Sequence, residues 1–320
     1  MNKLTTMIVC ALAGCILGGC GSSRTKVVSD YPQKTDYASF QAMLEREVSV
    51  GIDNEASDSG GRKLAEKLSF TCRIQPVGLR HSDSSARYRL LFEDVVVSRT
   101  DFLKELSLTD PVTELSGKSF EVLVDNEGRV VKADELLKSI TALARGCESC
   151  PQGDDCGQRR VRDHNFLLDM WSIQELFFRA GAVSRKLSDR ETWRHERQLP
   201  SVLPGESPSV TTEWVIESNS DGASAATGHE TLRQGSIENS LPALHHPHVK
   251  PKGLLGYLRN CTYDSIKGHI TLEASDNPDL PSKITREGII NATAWYTLSR
   301  PPQKANIEIW EKLTIESKNQ

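Results

Sequence analysis

Hydrophobic residues alternate with polar ones in several stretches before the middle of the chain. The stretches 70–74, 88–92 and 120–124 each place apolar side chains at every second position. A period of two is typical of a strand with one buried face. The turn residues 125–128 (DNEG) between two such stretches indicate a hairpin. We therefore predict a β half over about 62–133, with antiparallel pairing.

The middle of the chain has helical periodicity instead. Asp134 can cap a helix that Gly146 ends, and a second helix is expected over about 163–179, where apolar residues recur at steps of three and four and Gly181 follows. The predicted helices together occupy about 134–181. A helix-like spacing is also found over 37–50, from Phe40 to Val48.

A second β half is predicted over about 209–318, after a polar, proline-bearing linker at 183–208. It contains five alternating or β-rich stretches, at 212–217, 257–263, 269–273, 288–298 and 307–315. The order of strands, two helices and strands contains no repeating βαβ unit. It favours an α+β fold of mostly antiparallel sheet, curved or a two-part meander, with two central helices packed on it.

Residues 1–20 have the pattern of an export signal and not of a folded element. Lys3 precedes an apolar run from Leu4 to Ile16, and small residues lead to Cys20. Leu17-Gly18-Gly19-Cys20 resembles the lipobox of bacterial lipoproteins, a resemblance which implies cleavage before Cys20 and lipidation of its sulfur. Leu12-Ala13-Gly14-Cys15 also resembles it, but leaves an apolar run of only about eight residues.

Two other interpretations of the leader are an ordinary secretory signal and a membrane-spanning helix. The apolar run is shorter than the ~20 residues that a span needs. The lipoprotein resemblance implies a mature chain that is anchored to a membrane of the cell envelope. In an organism with two membranes, Gly21 after the cysteine implies sorting to the outer membrane, facing the periplasm. Residues 21–36 are polar and are predicted to form a flexible tether to a body at 37–320.

The composition narrows the classes of partner. The chain has 39 basic and 43 acidic residues, a formal net charge of −4, which gives no basic face for nucleic acid. Membrane contact is therefore expected through the lipid alone. A long antiparallel meander with helices on it is similar to the curved-sheet, half-barrel envelope lipoproteins. That architectural likeness suggests a hydrophobic ligand or an envelope protein as partner.

Five cysteines remain in the mature chain when Cys20 is lipidated. Cys147, Cys150 and Cys156 form one dense cluster. Its interpretations are a structural disulfide between the two helices, a metal site or a redox pair. The disulfide is favoured, because a zinc site wants four ligands and because Cys147 follows a helix C-terminus, where no dipole lowers a thiol pKa. Cys72 and Cys261, in opposite β halves, can bridge them or be buried thiols.

The remaining chemistry is sparse. His245, His246 and His248 form the one histidine cluster, but without acidic neighbours a solvated proline-rich loop is the better interpretation. Motifs of hydrolases, metalloproteases and nucleotide-binding loops are not found, and no cofactor, catalytic residue or metal site is predicted. His164 beside Asp163 and His195 beside Glu196 are adjacent only in sequence.

The leading hypothesis is therefore a lipid-anchored envelope protein with a non-enzymatic binding or assembly role. Two alternatives belong to other classes of protein. One is an envelope enzyme, hydrolase-like, whose catalytic residues are dispersed along the chain. The other is a metal-handling lipoprotein that uses Cys147–Cys156 or His245–His248.

Overall fold

The structure is a computed structural model, and it describes residues 38–52, 62–77, 85–101, 104–105, 111–134, 155–186, 192–200, 202–203, 207–218, 224–233, 257–274 and 281–318. Twelve strands, one α-helix and one 3-10 helix lie within these ranges. The strands are β1 Ala38–Ile52, β2 Arg62–Pro76, β3 Ala86–Asp101, β4 Lys104–Glu105, β5 Ser119–Val124, β6 Val130–Lys132, β7 Trp193–Gln198, β8 Ser209–Ser218, β9 Ser224–Arg233, β10 Leu258–Ala274, β11 Pro281–Tyr296 and β12 Gln303–Lys318. The α-helix, α1, is Asp155–Lys186, and the 3-10 helix is Pro111–Leu115.

All strands belong to one antiparallel sheet. Its order is β6-β5-β3-β2-β1-β12-β11-β10-β9-β8-β7, and the short β4 pairs with β3. The first and last strands meet in the middle of the sheet, where β1 pairs with β12 from Ser39 opposite Lys318 to Ile52 opposite Ala305. The two β halves of the chain are therefore joined into one continuous sheet by their outermost strands in sequence.

The long strands bury one face, which we call the inner face, and show the other, outer face to solvent. On β1 the apolar side chains of Phe40, Leu44 and Val48 are buried, while Gln41 and Glu47 between them are exposed. This is the separation of apolar and polar residues that a period of two produces. The mostly antiparallel sheet predicted from the alternation is thereby confirmed.

Helix α1 lies against the inner face. Its buried apolar residues join those of β1, β2, β3 and β5 in a first core cluster, which also includes Trp214 and Ile270 from the other half. Within it Phe40 stacks on Phe177 with ring centroids 4.4 Å apart. A second core cluster covers the inner face of β1, β2, β10, β11 and β12, and Leu199, Val202 and Leu203 of the segment after β7 belong to it.

The sheet is rolled around α1, because both of its edges reach the same turn of the helix. Gly128, in the turn between β5 and β6, packs on the helix backbone so closely that a Cβ there would lie 2.6 Å from the Cα of Arg179. On the opposite edge, Arg179 Nη2 donates a hydrogen bond to the main-chain oxygen of Glu196 in β7, at 3.3 Å. One helix turn thus occupies the space between the two sheet edges, which we call the seam.

Three sequence expectations were wrong in their detail. The segment 37–50 is strand β1 and not a helix, because the inward position 46 carries an arginine that hides the alternation. Helix α1 begins before residue 163 and continues through the buried Gly181 to Lys186, since the sheet packs around it on both sides. The region 183–208 is not only a linker, because it holds the end of α1 and strand β7.

Two further expectations concern the number of elements. The described part of the chain contains one α-helix, so a pair of central helices is not confirmed; apart from Asp134, the first predicted helix lies outside the described residues. The stretches 257–263 and 269–273 are one strand, β10, in which Gly268 continues the ladder. Strand β9 was not predicted at all.

Candidate functional site

A line of buried charges crosses the inner face between the two core clusters. Seven side chains form it, and we call them the charge row: Glu66, Arg46, Glu311, Arg286, Glu230, Arg197 and, from helix α1, Asp169. The six sheet residues come from six different strands, β2, β1, β12, β11, β9 and β7. Burying so many charges is costly unless each is paired and hydrogen-bonded, so the pairing of the row decides whether the fold tolerates it.

Strand register brings these side chains into line. Arg46 lies directly opposite Glu66 on one neighbouring strand and opposite Glu311 on the other. The next positions along the same line are Gly288 and Gly268, followed by Glu230. The two glycines leave space above the sheet, and Arg286 and Glu230 extend into it. A Cβ on Gly268 would lie 2.5 Å from Glu230 Oε2.

Arg46 holds the first part of the charge row together. Its Nε donates to Glu311 Oε1 at 2.7 Å, and its Nη1 donates to Glu66 Oε2 at 3.1 Å. Its Nη1 and Nη2 also donate to the two carboxylate oxygens of Asp169, at 3.1 and 2.7 Å. The contact with Asp169 is a bidentate salt bridge between helix and sheet, which is the strongest geometry of an arginine–carboxylate contact.

Glu230 and Arg286 hold the second part. Glu230 Oε1 accepts from Arg197 Nη2 at 2.7 Å, and Glu230 Oε2 accepts from Arg286 Nε at 2.6 Å. Arg286 Nη1 donates to Glu311 Oε2 at 2.8 Å, which connects the two parts. Arg197 Nη1 donates to the hydroxyl of Ser172 on α1, at 2.9 Å. Helix α1 is therefore fastened to the row at two points, Asp169 and Ser172.

The pairing sets the protonation of the acids. Burial by itself would raise the pKa of Glu230 and Glu311, but the arginines lower it to about 2 in both. Burial raises the pKa of Asp169 to about 6, and the attraction of Arg46 only partly offsets this. Burial is the larger cause, and the nearby carboxylates of Glu311 and Glu66, which also pair with Arg46, raise the pKa of Asp169 a little further.

A small cavity lies at the centre of the row. Its volume is about 20 Å³, enough for a water molecule. Charged groups of Arg46, Asp169, Arg197, Arg286 and Glu311 line it together with apolar residues of both clusters. Arg286 Nη2 is buried and has no hydrogen-bond partner among the described residues. The centre of the helix–sheet interface is thus polar, although both of its sides are apolar.

The arrangement is suited to fastening and not to general acid–base chemistry. Glu230 and Glu311 stay ionised at any physiological pH, and each accepts bonds from two arginines. Both oxygens of Asp169 are held by Arg46. A general acid or base must instead reach a substrate proton within hydrogen-bond distance. The geometry supports a polar latch between α1 and the sheet.

The structure places the predicted cysteines in different surroundings. Cys72 in β2 and Cys261 in β10 are both free thiols that belong to different core clusters, so they are not bridged. Burial raises the pKa of both thiols, that of Cys261 to about 11. Cys156 lies in the first turn of α1, and Cys147 and Cys150 lie outside the described residues. The predicted disulfide of that cluster stays a prediction.

The other residues singled out in the sequence are dispersed. Cys20 and His245–His248 lie outside the described residues. His195 is buried, and its Nδ1 accepts a hydrogen bond from Trp214 Nε1 at 2.9 Å. Burial and the charges of Arg179 and Arg197 hold the pKa of His195 well below its usual range. Glu196 points to the outer face and pairs with Arg233, so the two neighbours do not act together.

Sequence reasoning missed every member of the charge row. A signal was present, because Arg46, Glu66 and Glu311 each occupy an inward position between apolar residues spaced two apart. In the sequence alone, a charged residue at such a position suggests the end of a strand, or a helix. It can be assigned to a buried position only when the neighbouring strands and their register are known.

Comparisons with known proteins add little to this picture. No family model matches the chain, and no curated protein matches it. A solved structure described as "Lipid-protein interactions in lipovitellin" is similar over 88% of this chain and 25% of that chain, with 8% sequence identity and a TM-score of 0.39. This chain therefore spans about a quarter of the length of that structure. In the described part, no helix has the length and apolar character needed to cross a bilayer.

Proposed function

We propose that this protein is a lipid-anchored envelope protein that holds a hydrophobic ligand between its rolled sheet and helix α1, without catalysing a reaction. The observation that carries the proposal is the seam. In the described chain, the sheet edges β6 and β7 are brought together by contacts with α1 and not by a strand ladder. A roll that is closed by a helix can open without breaking backbone pairing within the sheet.

The polar latch supports the same function. Replacing a buried ion network by apolar side chains often leaves stability unchanged or raises it, so the charge row is a costly way to dock a helix. Its benefit appears when the interface opens, because charged groups are well solvated and a purely apolar interface is not. The two apolar clusters on either side of the row supply the surface that a hydrophobic ligand would contact.

The membrane anchor is the other half of the proposal. It is supported by the resemblance of Leu17-Gly18-Gly19-Cys20 to the lipobox, which implies lipidation at Cys20 and a location of the body in the envelope. Residues 21–36 would tether the body to the membrane surface, on the periplasmic side of the outer membrane in a cell with two membranes. Such a location gives access to lipids and to other envelope proteins.

The ligand is tested with the full chain, expressed with its own leader in a bacterium with two membranes. The Cys20→Ser variant is used because, without a lipid anchor, it should leave the membrane and can be purified without detergent. We expect solvent extraction and mass spectrometry of this purified protein to detect a hydrophobic molecule in near-stoichiometric amount. A fatty-acyl fluorescent probe should compete with that molecule for the protein.

Three outcomes would contradict the proposal. Protein that carries no extractable molecule and does not bind the probe is not a carrier. If the same ligand-free protein captures an envelope protein, its partner is a protein and not a hydrophobic molecule, and its role is in assembly. Turnover of ester, peptide or cell-wall substrates that Asp169→Asn abolishes would show an enzyme.

A further inference from the structure

Two histidines from different strands face each other on the outer face of the sheet. His229 of β9 and His269 of β10 are direct partners in the antiparallel register. Both side chains are exposed, and their ring centroids are 5.2 Å apart with planes inclined by 47°. They are 40 positions apart in the sequence and belong to neither the charge row nor the core clusters. Their pairing is therefore visible only in the folded sheet.

The separation of the two rings matches that of two imidazoles on one metal ion. With metal–nitrogen bonds of ~2.0 Å and a tetrahedral angle between them, the ring centroids lie about 5 Å apart. Imidazole is a ligand suited to Zn²⁺, Cu²⁺ and Ni²⁺. Partners on adjacent antiparallel strands also have Cβ atoms only ~5 Å apart, so small rotations of the side chains bring two ring nitrogens to a common point.

Carboxylates lie on both sides of the histidine pair. Glu213 of β8 is the register partner of His229, and Glu287 of β11 is the register partner of His269. Four neighbouring strands therefore present the order Glu213, His229, His269, Glu287 on the outer face. Histidines that bind a metal commonly donate their second ring N–H to a carboxylate, which orients the ring and raises its basicity. Both glutamates add negative charge near a cation. Glu287 Oε1 also pairs with Lys312 Nζ at 2.8 Å, so the contact with a histidine ring would use its other carboxylate oxygen.

We propose that His229 and His269 form a binding site for a divalent transition-metal ion, with Glu213 and Glu287 as its outer carboxylates. The described residues hold no group of three or more His, Cys, Asp or Glu side chains that would enclose an ion. The remaining coordination positions therefore belong to water or to a donor from outside the body. The site takes Zn²⁺ or Cu²⁺ with two imidazole ligands and is open to exchange.

The test uses the full chain with Zn²⁺ as the probe, measured by titration calorimetry at neutral pH. His245, His246 and His248 can bind the same ion, so all variants are made in a background with these three replaced by Gln. We expect one equivalent of Zn²⁺ to bind in this background. His229→Gln or His269→Gln should weaken binding at least about tenfold, and Glu213→Gln should weaken it about tenfold through the outer shell.

Lys267→Gln is the matched control, because Lys267 is exposed on the same face of β10, two residues before His269. It should leave the affinity unchanged. Cu²⁺ bound to the same background should give an electron paramagnetic resonance spectrum of two-nitrogen coordination, which either histidine substitution changes. The proposal is overturned if the background binds no Zn²⁺, or if its affinity survives both histidine substitutions. His229, His269 and Glu213 are all exposed, so a loss of Zn²⁺ binding when one of them is replaced does not reflect unfolding.

Discussion

Asp169 is an acid of the charge row for which burial outweighs the attraction of its arginine partner. Arg46 must serve Glu66 and Glu311 as well, and burial favours the neutral form of the carboxyl group. In the folded protein its pKa is about 6, above the ordinary 3.8. The folded protein therefore keeps a proton that the unfolded chain has released between these two values. The contribution of Asp169 to the free energy of unfolding is therefore greatest below about pH 4 and is lost as the pH rises through about 6.

We predict that Asp169→Asn removes this fall in stability with rising pH. The fall in the native protein should be on the order of 3 kcal/mol between pH 4 and pH 6. Urea unfolding followed at several pH values measures it. Asp264→Asn, at an exposed position of β10, is the control and should keep the native slope. Equal slopes in the native protein and the Asp169 variant would contradict the assignment.

Glu230 and Glu311 act at the other end of the pH range. Their pKa values of about 2 lie below the ordinary 4.5, so their contribution to stability is present above about pH 4.5 and is lost as the pH falls towards 2. Taken together, the three acids Asp169, Glu230 and Glu311 contribute most to stability in mildly acidic solution.

Gly268 offers a test of the geometry of the charge row. A Cβ at this position would lie 2.5 Å from Glu230 Oε2 and 3.0 Å from Glu230 Cβ, and Arg197 and Arg286 prevent the carboxylate from moving aside. We predict that Gly268→Ala destabilises the protein by about 2 kcal/mol through overpacking. Thermal unfolding measures the change.

Gly288→Ala is the matched control on the neighbouring strand. Its nearest atom would be Arg286 Nη2 at 3.4 Å, an ordinary contact, so the variant should be as stable as the native protein. Similar losses at both glycines would mean that the close approach of Glu230 does not limit this position.

At the scale of elements, helix α1 is buried on nearly all sides from Asp169 to Val183. A helix that is buried on nearly all sides belongs inside the structure, and its polar side chains must then be paired, as those of Asp169, Ser172 and Arg179 are. That position explains why Gly181 does not end it, since packing by the surrounding sheet outweighs the ~1 kcal/mol cost of glycine in a helix. It also makes α1 the contact that holds the sheet edges together.

We predict that Arg179→Gln loosens the seam. The variant removes the guanidinium that pairs with Glu175 and donates to the main chain of β7. Loss of about 1 kcal/mol of local stability should increase amide hydrogen exchange in β6 and β7 about fivefold, with little change in β1 and β12. If the protein carries a ligand there, the ligand should also exchange faster.

Arg233→Gln is the control for this prediction. Arg233 pairs with the Glu196 side chain on the solvent side at 3.0 Å and does not bridge the sheet edges through that contact. Its exchange rates in β6 and β7 should stay native. An equal increase in both variants would show that Arg179 does not close the seam.

At the scale of the whole molecule, we propose that a lipid anchor at Cys20 decides where the body works. We predict that Cys20→Ser moves the protein from the membrane fraction to the released fraction, because a lipid chain provides the membrane affinity. Fractionation and the mass of the N-terminal peptide measure it. Cys15→Ser should stay membrane-bound; release by Cys15→Ser, with Cys20→Ser retained, would place the lipid on the earlier cysteine.

The predictable part of the fold followed from uninterrupted patterns. The alternation over 70–74 and 120–124 and the turn between β5 and β6 appear in the structure as predicted. The predictions were wrong or incomplete where a buried charge or a glycine interrupts a pattern. Arg46 made β1 look helical, and Gly268 within β10 made one strand look like two. Arg46 is therefore both a member of the candidate site and the residue that obscured its own strand, whereas the strand of Glu311 was predicted despite the buried charge.

The sequence by itself determined most of the antiparallel strands and the central helix, because each pattern depends on the order of neighbouring residues. It also determined the nearly balanced net charge, and it predicts an export-type leader. The tertiary structure alone decided the continuous sheet, the seam, the charge row and the facing histidines. Those features depend on the register between strands that are far apart in the sequence; Arg46 and Glu311, for example, are 265 residues apart. A buried arginine is tolerated only where folding brings carboxylates around it, and that environment is a property of the assembled sheet.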